Sequence, residues 1–225
     1  MKVRSINTNV LQLTRARFVN AYLVRENDGF TLVDTGIGGG ADTLLAIAPR
    51  SGGEIRRIVL THGHQDHAGS LDALRQRLGA EVEVSMSDPD ARECAGEPVI
   101  EGKRHGSWAT LTTSPDVRLA GGERIGSLEV IATPGHTPGH LAFLDMRDRT
   151  LFAGDTYTTY WQTNIPNRLS QPFPLSAMGT QDPARIIESA RALHALEPSL
   201  LLVGHGPAVH DPGDAMNAAI ERATR

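Results

Sequence analysis

Four short segments of the chain carry side chains of the types that bind metal ions in proteins. The richest, Thr61–His67, reads THGHQDH and holds three histidines and one aspartate. Clustered imidazoles repel one another when they are protonated, whereas neutral imidazoles can bind the same metal cation together. The other three segments supply His136, Asp155 and His205, each next to a glycine that lets the backbone bend closely. These residue types predict a metal site made of imidazole nitrogens and carboxylate oxygens.

The apolar pattern places each of these four segments at the end of a predicted strand. The four strands are Ile55–Leu60, Leu128–Ala132, Thr150–Ala153 and Ser199–Val203. Loops held by a rigid scaffold are where binding and catalytic residues concentrate. We therefore expect the four segments to be positioned by sheets and to serve one chemical purpose.

The remaining pattern alternates strands and helices without repeats or a linker. Further strands are predicted at Phe18–Arg25, Phe30–Asp34, Glu81–Ser85, Val117–Leu119 and His140–Leu144, and helices at Ala41–Ala48, Ala68–Leu78, Pro183–Leu196 and Ala215–Ala223. Two stretches, Asp88–Pro115 and Tyr157–Thr180, look irregular, with one helical turn around Ala91. We predict a single domain over residues 1–225, with two mixed sheets packed together and helices outside.

Composition narrows the class of function. The net charge of −4 argues against a nucleic-acid surface, which is usually basic. Cys94 is the single cysteine, so no disulfide can form within the chain, which fits a reducing compartment. No stretch reaches the roughly 20 apolar residues of a membrane-spanning helix, and the N-terminus lacks a signal-type run. We expect a cytoplasmic protein with a small-molecule substrate, no nucleic acid and no membrane partner; a homo-oligomer is compatible.

The ordered set of motifs resembles the metallo-β-lactamase superfamily. The pattern H-x-H-x-D-H at 62–67 is followed by His136, Asp155 and His205, and Leu32–Gly36 reads LVDTG like that family's second-strand motif. The resemblance runs from about residue 18 to residue 206. It implies an α+β fold, the four-layer αββα sandwich of two mixed sheets.

The resemblance also implies a role for each ligand residue. One metal would be held by His62, His64 and His136, the other by Asp66, His67 and His205, with Asp155 bridging both and Asp34 orienting a ligand loop. Asp66 and Asp155 would be the catalytic carboxylates. The cofactor would be two divalent ions, zinc foremost, with iron or manganese as alternatives.

Three activities are compatible with this family. Thr133–His140, TPGHTPGH, is similar to hydroxyacylglutathione hydrolases (glyoxalase II) and to lactonases, which implies attack by a metal-bridging hydroxide on a thioester or lactone. One alternative is a mononuclear iron persulfide dioxygenase that uses His62, His136 and Asp155. A further alternative is a metal-dependent nuclease, which would need a basic substrate track.

Aromatic residues in the two irregular stretches are candidates for a substrate pocket. They are Trp108, Tyr157, Tyr160, Trp161 and Phe173. They could form an apolar wall for the substrate, or they could anchor long loops or a subunit contact. For His140 we expect a structural hydrogen bond within its turn rather than a metal contact.

Overall fold

A seven-stranded mixed sheet is built from the first part of the chain. Its strands lie in chain order across the sheet: β1 (Lys2–Ser5), β2 (Val10–Arg15), β3 (Val19–Glu26), β4 (Gly29–Val33), β5 (Ile55–Val59), β6 (Glu83–Ser87) and β7 (Val117–Leu119). The first four pair antiparallel, whereas β4 to β7 pair parallel. Parallel neighbours need crossover connections, and helices provide them here. These helices are α1 (Ala41–Arg50), α2 (Gln65–Ala68), α3 (Leu71–Leu78) and α4 (Asp88–Cys94).

A six-stranded mixed sheet is built from the later part of the chain. Its strands are β8 (Arg124–Ile125), β9 (Leu128–Ala132), β10 (Leu141–Asp145), β11 (Thr150–Phe152), β12 (Leu200–Leu202) and β13 (Val209–His210). They lie in the order β13-β12-β11-β10-β9-β8, and only β11 and β12 pair parallel. The long connection from β11 to β12 carries α5 (Pro174–Gly179) and α6 (Arg185–His194), and α7 (Gly213–Ala223) follows β13.

The computed structural model describes residues 1–169 and 174–225. They form two compact units. The first unit comprises Met1–Val99 and Trp108–Leu119, and the second comprises Ile100–Ser107 and Ala120–Arg225. Within the described ranges, no helix has the length and apolar character needed to cross a bilayer.

The core of the second unit contains apolar side chains from two strands and two helices. Leu151 on β11 and Leu201 on β12 are fully buried, and Ile186 and Leu193 of α6 and Met216 of α7 are buried in the same cluster. Burying side chains of this size stabilises the fold by about 1.5–3 kcal/mol each. This packing holds the ends of β11 and β12, from which two of the predicted metal ligands project.

The predicted α+β class with two mixed sheets is confirmed. Two predictions about local structure are wrong, and some strands were missed. The stretch around Ala91 forms the helix Asp88–Cys94 rather than one turn, α5 lies in a stretch predicted to be irregular, and strands β1 and β2 were not predicted. The single-domain assignment stays a prediction.

Candidate metal centre

In the first unit, Asp34 organises the loop that carries the histidines. It follows β4 and is buried, and its carboxylate accepts hydrogen bonds from Thr61 N–H (2.8 Å), Thr61 Oγ1 (2.8 Å) and His67 Nδ1 (2.8 Å). Next to it, the N–H and hydroxyl of Thr35 both donate to the carbonyl of His67, at 2.7 and 2.9 Å. The LVDTG segment therefore fixes the position of the ligand loop through its backbone and side chains.

These hydrogen bonds also determine the tautomers of two neutral histidines. Thr61 donates its hydroxyl proton to Asp34, so its oxygen accepts from His62 Nδ1, which lies 3.0 Å away. His67 Nδ1 donates to Asp34. In both neutral rings Nε2 is consequently unprotonated, which is the form that binds a metal ion.

The ring nitrogens of this loop converge. His62 Nε2 lies 3.2 Å from His64 Nδ1, and the rings of His62 and His67 are 4.0 Å apart at their centroids. His67 Nε2 lies 3.9 Å from a carboxylate oxygen of Asp66, whose side chain is 37% exposed. Lone pairs brought this close repel unless a proton or a cation lies between them, so the arrangement fits a metal ligand set.

The residue between the first two histidines, Gly63, is enclosed by three side chains. Asp90 of α4 accepts from its N–H at 2.9 Å, and Cys94 Sγ donates to its carbonyl at 3.3 Å. A Cβ at Gly63 would lie 2.6 Å from Cys94 Sγ and 2.8 Å from Trp108 Cζ3. A side chain at this position would therefore force Cys94, Trp108 or the loop itself to shift.

In the second unit, three predicted ligand residues meet at one oxygen atom. Asp155 Oδ2 lies 3.2 Å from His205 Nε2 and 3.5 Å from His136 Nε2. All three side chains are buried. His136 Nδ1 lies 3.1 Å from Thr180 Oγ1, which donates its own proton to the carbonyl of Pro166 at 2.6 Å. In the neutral ring His136 Nδ1 is thus the protonated nitrogen, and Nε2 carries the lone pair.

Glycines allow two of these ligand loops to approach their neighbours. Gly135 has φ +138°, and a Cβ there would lie 2.3 Å from the backbone nitrogen of Ile186. Gly206 has φ +125°, and a Cβ there would lie 2.3 Å from Thr159 Oγ1. Both backbone conformations and both contacts exclude a side chain.

His140 has the structural role that its turn predicts. Its Nε2 accepts a hydrogen bond from the backbone N–H of Asp155 at 3.0 Å, and its Nδ1 lies 2.8 Å from Thr133 Oγ1. The ring is buried, and both nitrogens are used within the fold. It therefore helps to hold the loop that presents Asp155.

The predicted pocket aromatics fall into different environments. Trp108 is buried edge-on against His64, with ring centroids 5.1 Å apart. Tyr157 is fully buried, its hydroxyl donates to the carbonyl of Ala190 at 2.8 Å, and burial raises its pKa, so the loop-anchor alternative is favoured for it. Burial also raises the pKa of the partly exposed Tyr160, and Trp161 is 73% exposed. Phe173 lies outside the described residues.

Each unit therefore carries a His/Asp cluster of the metal-binding type. In the first unit, the ligand atoms of His62 and His64 lie within 4.8 Å of each other, as do those of Asp66 and His67. Imidazole nitrogens with carboxylate oxygens suit zinc, iron and manganese, so the donors fit the predicted group without choosing one ion. The sequence carries no signal for the roles of Thr61, which lies in the histidine loop itself, or of Asp90, Ser176 and Thr180, which contact these loops from distant positions in the chain.

Comparisons with known proteins agree with this description. A family profile described as the metallo-beta-lactamase superfamily matches residues 14–205. YobT of Bacillus subtilis is 37% identical over 215 residues, which cover 92% of this chain and 91% of YobT. YflN, a probable metallo-hydrolase of the same bacterium, is 30% identical over 216 residues, with 84% and 81% covered.

More distant matches include an enzyme and a metal-bound structure. The hydroxyacylglutathione hydrolase GloC of Haemophilus influenzae is 29% identical over 126 residues, which cover 52% of this chain and 57% of GloC. The solved structure of TTHA1623 in a di-iron-bound form has a TM-score of 0.67 and 28% identity, and the match covers 91% of this chain and 95% of TTHA1623. The predicted fold is confirmed by these likenesses.

Proposed function

The chain belongs to the metallo-β-lactamase superfamily, and on this premise we propose that it is a metal-dependent hydrolase that cleaves a thioester or lactone of a small molecule. One observation carries the proposal: His62, His67 and His136 are hydrogen-bonded so that each neutral ring keeps Nε2 unprotonated. Histidines whose other nitrogen is fixed in this way are typical of metal sites.

The proposed cofactor is a pair of divalent metal ions. We propose that His62, His64 and His136 hold one, that Asp66, His67 and His205 hold the other, and that Asp155 bridges them. Such a pair supplies a hydroxide nucleophile near neutral pH and polarises the carbonyl under attack. Zinc is the expected metal, and iron or manganese would suit the same donors.

In this mechanism, hydrogen bonds from other residues of the chain hold the proposed ligands in fixed orientations. Asp34 fixes His67 directly and His62 through Thr61. Thr180 fixes His136, and His140 holds the backbone of Asp155. Because orientation is set before the substrate arrives, little reorganisation is needed during reaction. A serine or cysteine nucleophile is unnecessary in this mechanism.

The substrate class rests on motif similarity and on local surface. The TPGHTPGH segment is similar to hydroxyacylglutathione hydrolases, and GloC is one such relative. The buried Trp108 ring packs against His64, which makes the surroundings of this proposed ligand apolar, as is common in small-molecule sites. The net charge of −4 weighs against a nuclease. A cytoplasmic location and a homo-oligomer stay predictions.

The second candidate is a mononuclear iron persulfide dioxygenase. The observation in its favour is that a relative with 28% identity, TTHA1623, was solved in a di-iron-bound form, so this fold can hold iron. In that activity His62, His136 and Asp155 would be the ligands. Metal identity and stoichiometry therefore discriminate between the two candidates.

The first experiment is elemental analysis of protein expressed without added metal. About two zinc or manganese ions per chain would support the hydrolase. One iron and nothing else would support the dioxygenase, and oxygen uptake would then be measured. Absence of bound metal after reconstitution would contradict both.

The second experiment is a panel of thioesters and lactones assayed with matched variants. Asp155→Asn and His64→Ala are expected to lose nearly all turnover, at least about a hundredfold, while circular dichroism stays native. His210→Ala changes an exposed histidine of β13 and should keep wild-type turnover. Substantial turnover by Asp155→Asn in metal-replete buffer would contradict the assigned roles.

A further inference from the structure

Ser176 of α5 contacts the carboxylate that is proposed to bridge the two metals. Its hydroxyl donates a hydrogen bond of 2.5 Å to Asp155 Oδ2, the same oxygen that lies nearest His136 Nε2 and His205 Nε2. Ser176 is 4% exposed. The oxygen at the centre of the second unit's ligand set is therefore also a hydrogen-bond acceptor for a buried serine.

Ser176 is held in place by the segment that follows it. Thr180 Oγ1 lies 3.2 Å from the carbonyl of Ser176 and 3.1 Å from His136 Nδ1. Gln181 N–H donates to the carbonyl of His136 at 3.0 Å, and Asp182 N–H to that of Gly135 at 2.8 Å. One continuous segment thus positions both the serine and the His136 loop, so the serine cannot easily move away from the ligand set.

The lone pairs of Asp155 Oδ2 limit what it can bind at one time. An ionised carboxylate oxygen offers about two acceptor positions. Ser176 occupies one of them, and His136 Nε2 carries a lone pair rather than a proton. A single cation at Oδ2 can coexist with the serine bond. If both cations were held through Oδ2, they would need both positions, and the serine would have to release the oxygen before the second cation could bind there.

We propose that Ser176 is a positioning residue that competes with the second metal ion for Asp155 Oδ2 and thereby weakens binding of that ion relative to the first. This inference rests on the proposed dinuclear centre with Asp155 as the bridge. According to this inference, the serine determines how readily the second metal ion binds, and hence whether the chain holds one metal ion or two.

The test is stepwise metal binding by the full chain. Protein stripped with a chelator is dialysed against buffers of increasing free Zn²⁺, and bound zinc is measured by elemental analysis. A hydrogen bond to a charged acceptor is worth enough that its removal in Ser176→Ala should tighten the second dissociation constant about tenfold. The first constant should change less than about threefold. Ser176→Thr keeps the hydroxyl and should behave like the wild type.

Ser189→Ala is the matched control. Ser189 is a buried serine of the same unit whose hydroxyl donates to the carbonyl of Pro134 at 2.7 Å, two residues from His136. It should leave both constants unchanged. Thermal melting of all variants checks that each is folded.

The outcomes separate this inference from the proposed function. Two zinc ions in the wild type with an unchanged or weaker second constant in Ser176→Ala would overturn the inference and leave the dinuclear hydrolase standing. One zinc ion in the wild type and two in Ser176→Ala would support the inference and show a stronger competition. One ion in both would contradict the dinuclear centre as well as the inference.

Discussion

At the scale of single residues, Asp34 shows how one buried carboxylate orients several groups of a loop. Its carboxylate accepts from a backbone N–H, a hydroxyl and an imidazole, all within the loop that carries the first histidines. Its backbone has φ +61°, a left-handed conformation that aspartate and asparagine tolerate better than most residues. An observed strained residue beside a candidate site is consistent with a functional constraint.

Asp34→Asn isolates the charge, because asparagine keeps both the shape and the tolerance for positive φ. Its amide nitrogen cannot accept, so the donors from Thr61 and His67 compete for one oxygen. We expect affinity for Zn²⁺ to fall by about 10–100-fold, the usual cost of losing such a partner of a metal ligand. Competition with a chromophoric chelator measures it.

Asp28→Asn is the control for that substitution. Asp28 is an exposed aspartate in the turn between β3 and β4, paired with Arg57. It should not change the affinity for zinc. Equal affinities of the wild type and Asp34→Asn for zinc would mean that the hydrogen bonds of Asp34 do not contribute to metal binding.

At the scale of secondary-structure elements, α4 and Trp108 enclose Gly63, the residue between the proposed ligands His62 and His64. Gly63→Ala would bring Cβ to 2.6 Å from Cys94 Sγ and 2.8 Å from Trp108 Cζ3, so the loop or the helix must shift. We expect a loss of about 1–3 kcal/mol in the free energy of unfolding, typical of overpacking, measured by urea denaturation. Zinc affinity should fall in parallel, since His62 and His64 flank the displaced residue.

Gly213→Ala is the control, because a Cβ at the start of α7 has no heavy atom of the described chain within 4 Å. It should lower neither the free energy of unfolding nor the affinity for zinc, and the higher helix propensity of alanine favours a small gain in stability. If Gly63→Ala were as stable as the wild type, the enclosure by α4 would be looser than the contacts indicate.

Two aspartates tie α3 and β6 to the segment that leads into β7. Asp72 accepts from the N–H groups of Thr112 and Thr113, at 2.9 and 2.8 Å, and Asp116 accepts from Val84 N–H at 2.8 Å and Arg75 at 2.7 Å. Burial opposes ionisation of both carboxyls, but the hydrogen bonds outweigh it, so the pKa of each lies below its ordinary value. These bonds therefore favour the charged form.

A lowered pKa in the folded state gives stability that is present above the unfolded pKa, about 3.9, and is lost as the pH falls through the folded value. We expect Asp72→Asn to be less stable than the wild type at pH about 7, with the difference shrinking toward pH about 3. Thermal melts across this range measure it. Glu101→Gln, which removes an exposed carboxylate, is the control and should be as stable as the wild type at pH about 7. A difference that stays constant with pH would mean that the ionised form of Asp72 is not what matters.

The sequence pattern predicts the elements with a strong apolar period and misses those without one. Ile55–Leu60 was predicted as a strand, and β5 covers Ile55–Val59. In contrast, β1 (Lys2–Ser5) is entirely exposed and β2 (Val10–Arg15) is broken by polar residues, so pairing with a neighbour rather than composition makes them strands. Helix α4 begins with Asp88-Pro89, a good helix start that the charged composition around it obscured.

At the scale of the whole molecule, the residues of the two His/Asp clusters were predictable and their supporting contacts were not. His62, His136, Asp155 and His205 stand out because histidine and aspartate follow strand ends in a recognisable order. Ser176 and Thr180 carry no such signal, since the pattern around them predicts irregular structure and they reach Asp155 and His136 only through the fold. The residue types indicate which side chains suit a metal ion, whereas hydrogen bonds from distant parts of the chain determine how each of these side chains is oriented.

The distribution of the proposed ligands over residues 62 to 205 predicts how metal and stability are linked. An unfolded chain does not present these side chains together, so metal binds the folded state and stabilises it by mass action. At free metal about a hundredfold above the dissociation constant, the gain is about 2.7 kcal/mol, or about 5–10 °C in Tm for a chain of this size. Chelation should therefore lower the Tm by that amount, measured by differential scanning calorimetry.

The same experiment on Asp155→Asn tests whether the metal-dependent stability comes from the proposed centre. Asparagine leaves the volume of the buried site nearly unchanged but removes the negative charge that faces His136 and His205. The metal-dependent part of the Tm should then shrink to a small fraction, while the Tm in chelator stays close to that of the wild type. If chelation lowers the Tm of Asp155→Asn as much as that of the wild type, the stabilising metal binds elsewhere in the chain, and Asp155 is not its ligand.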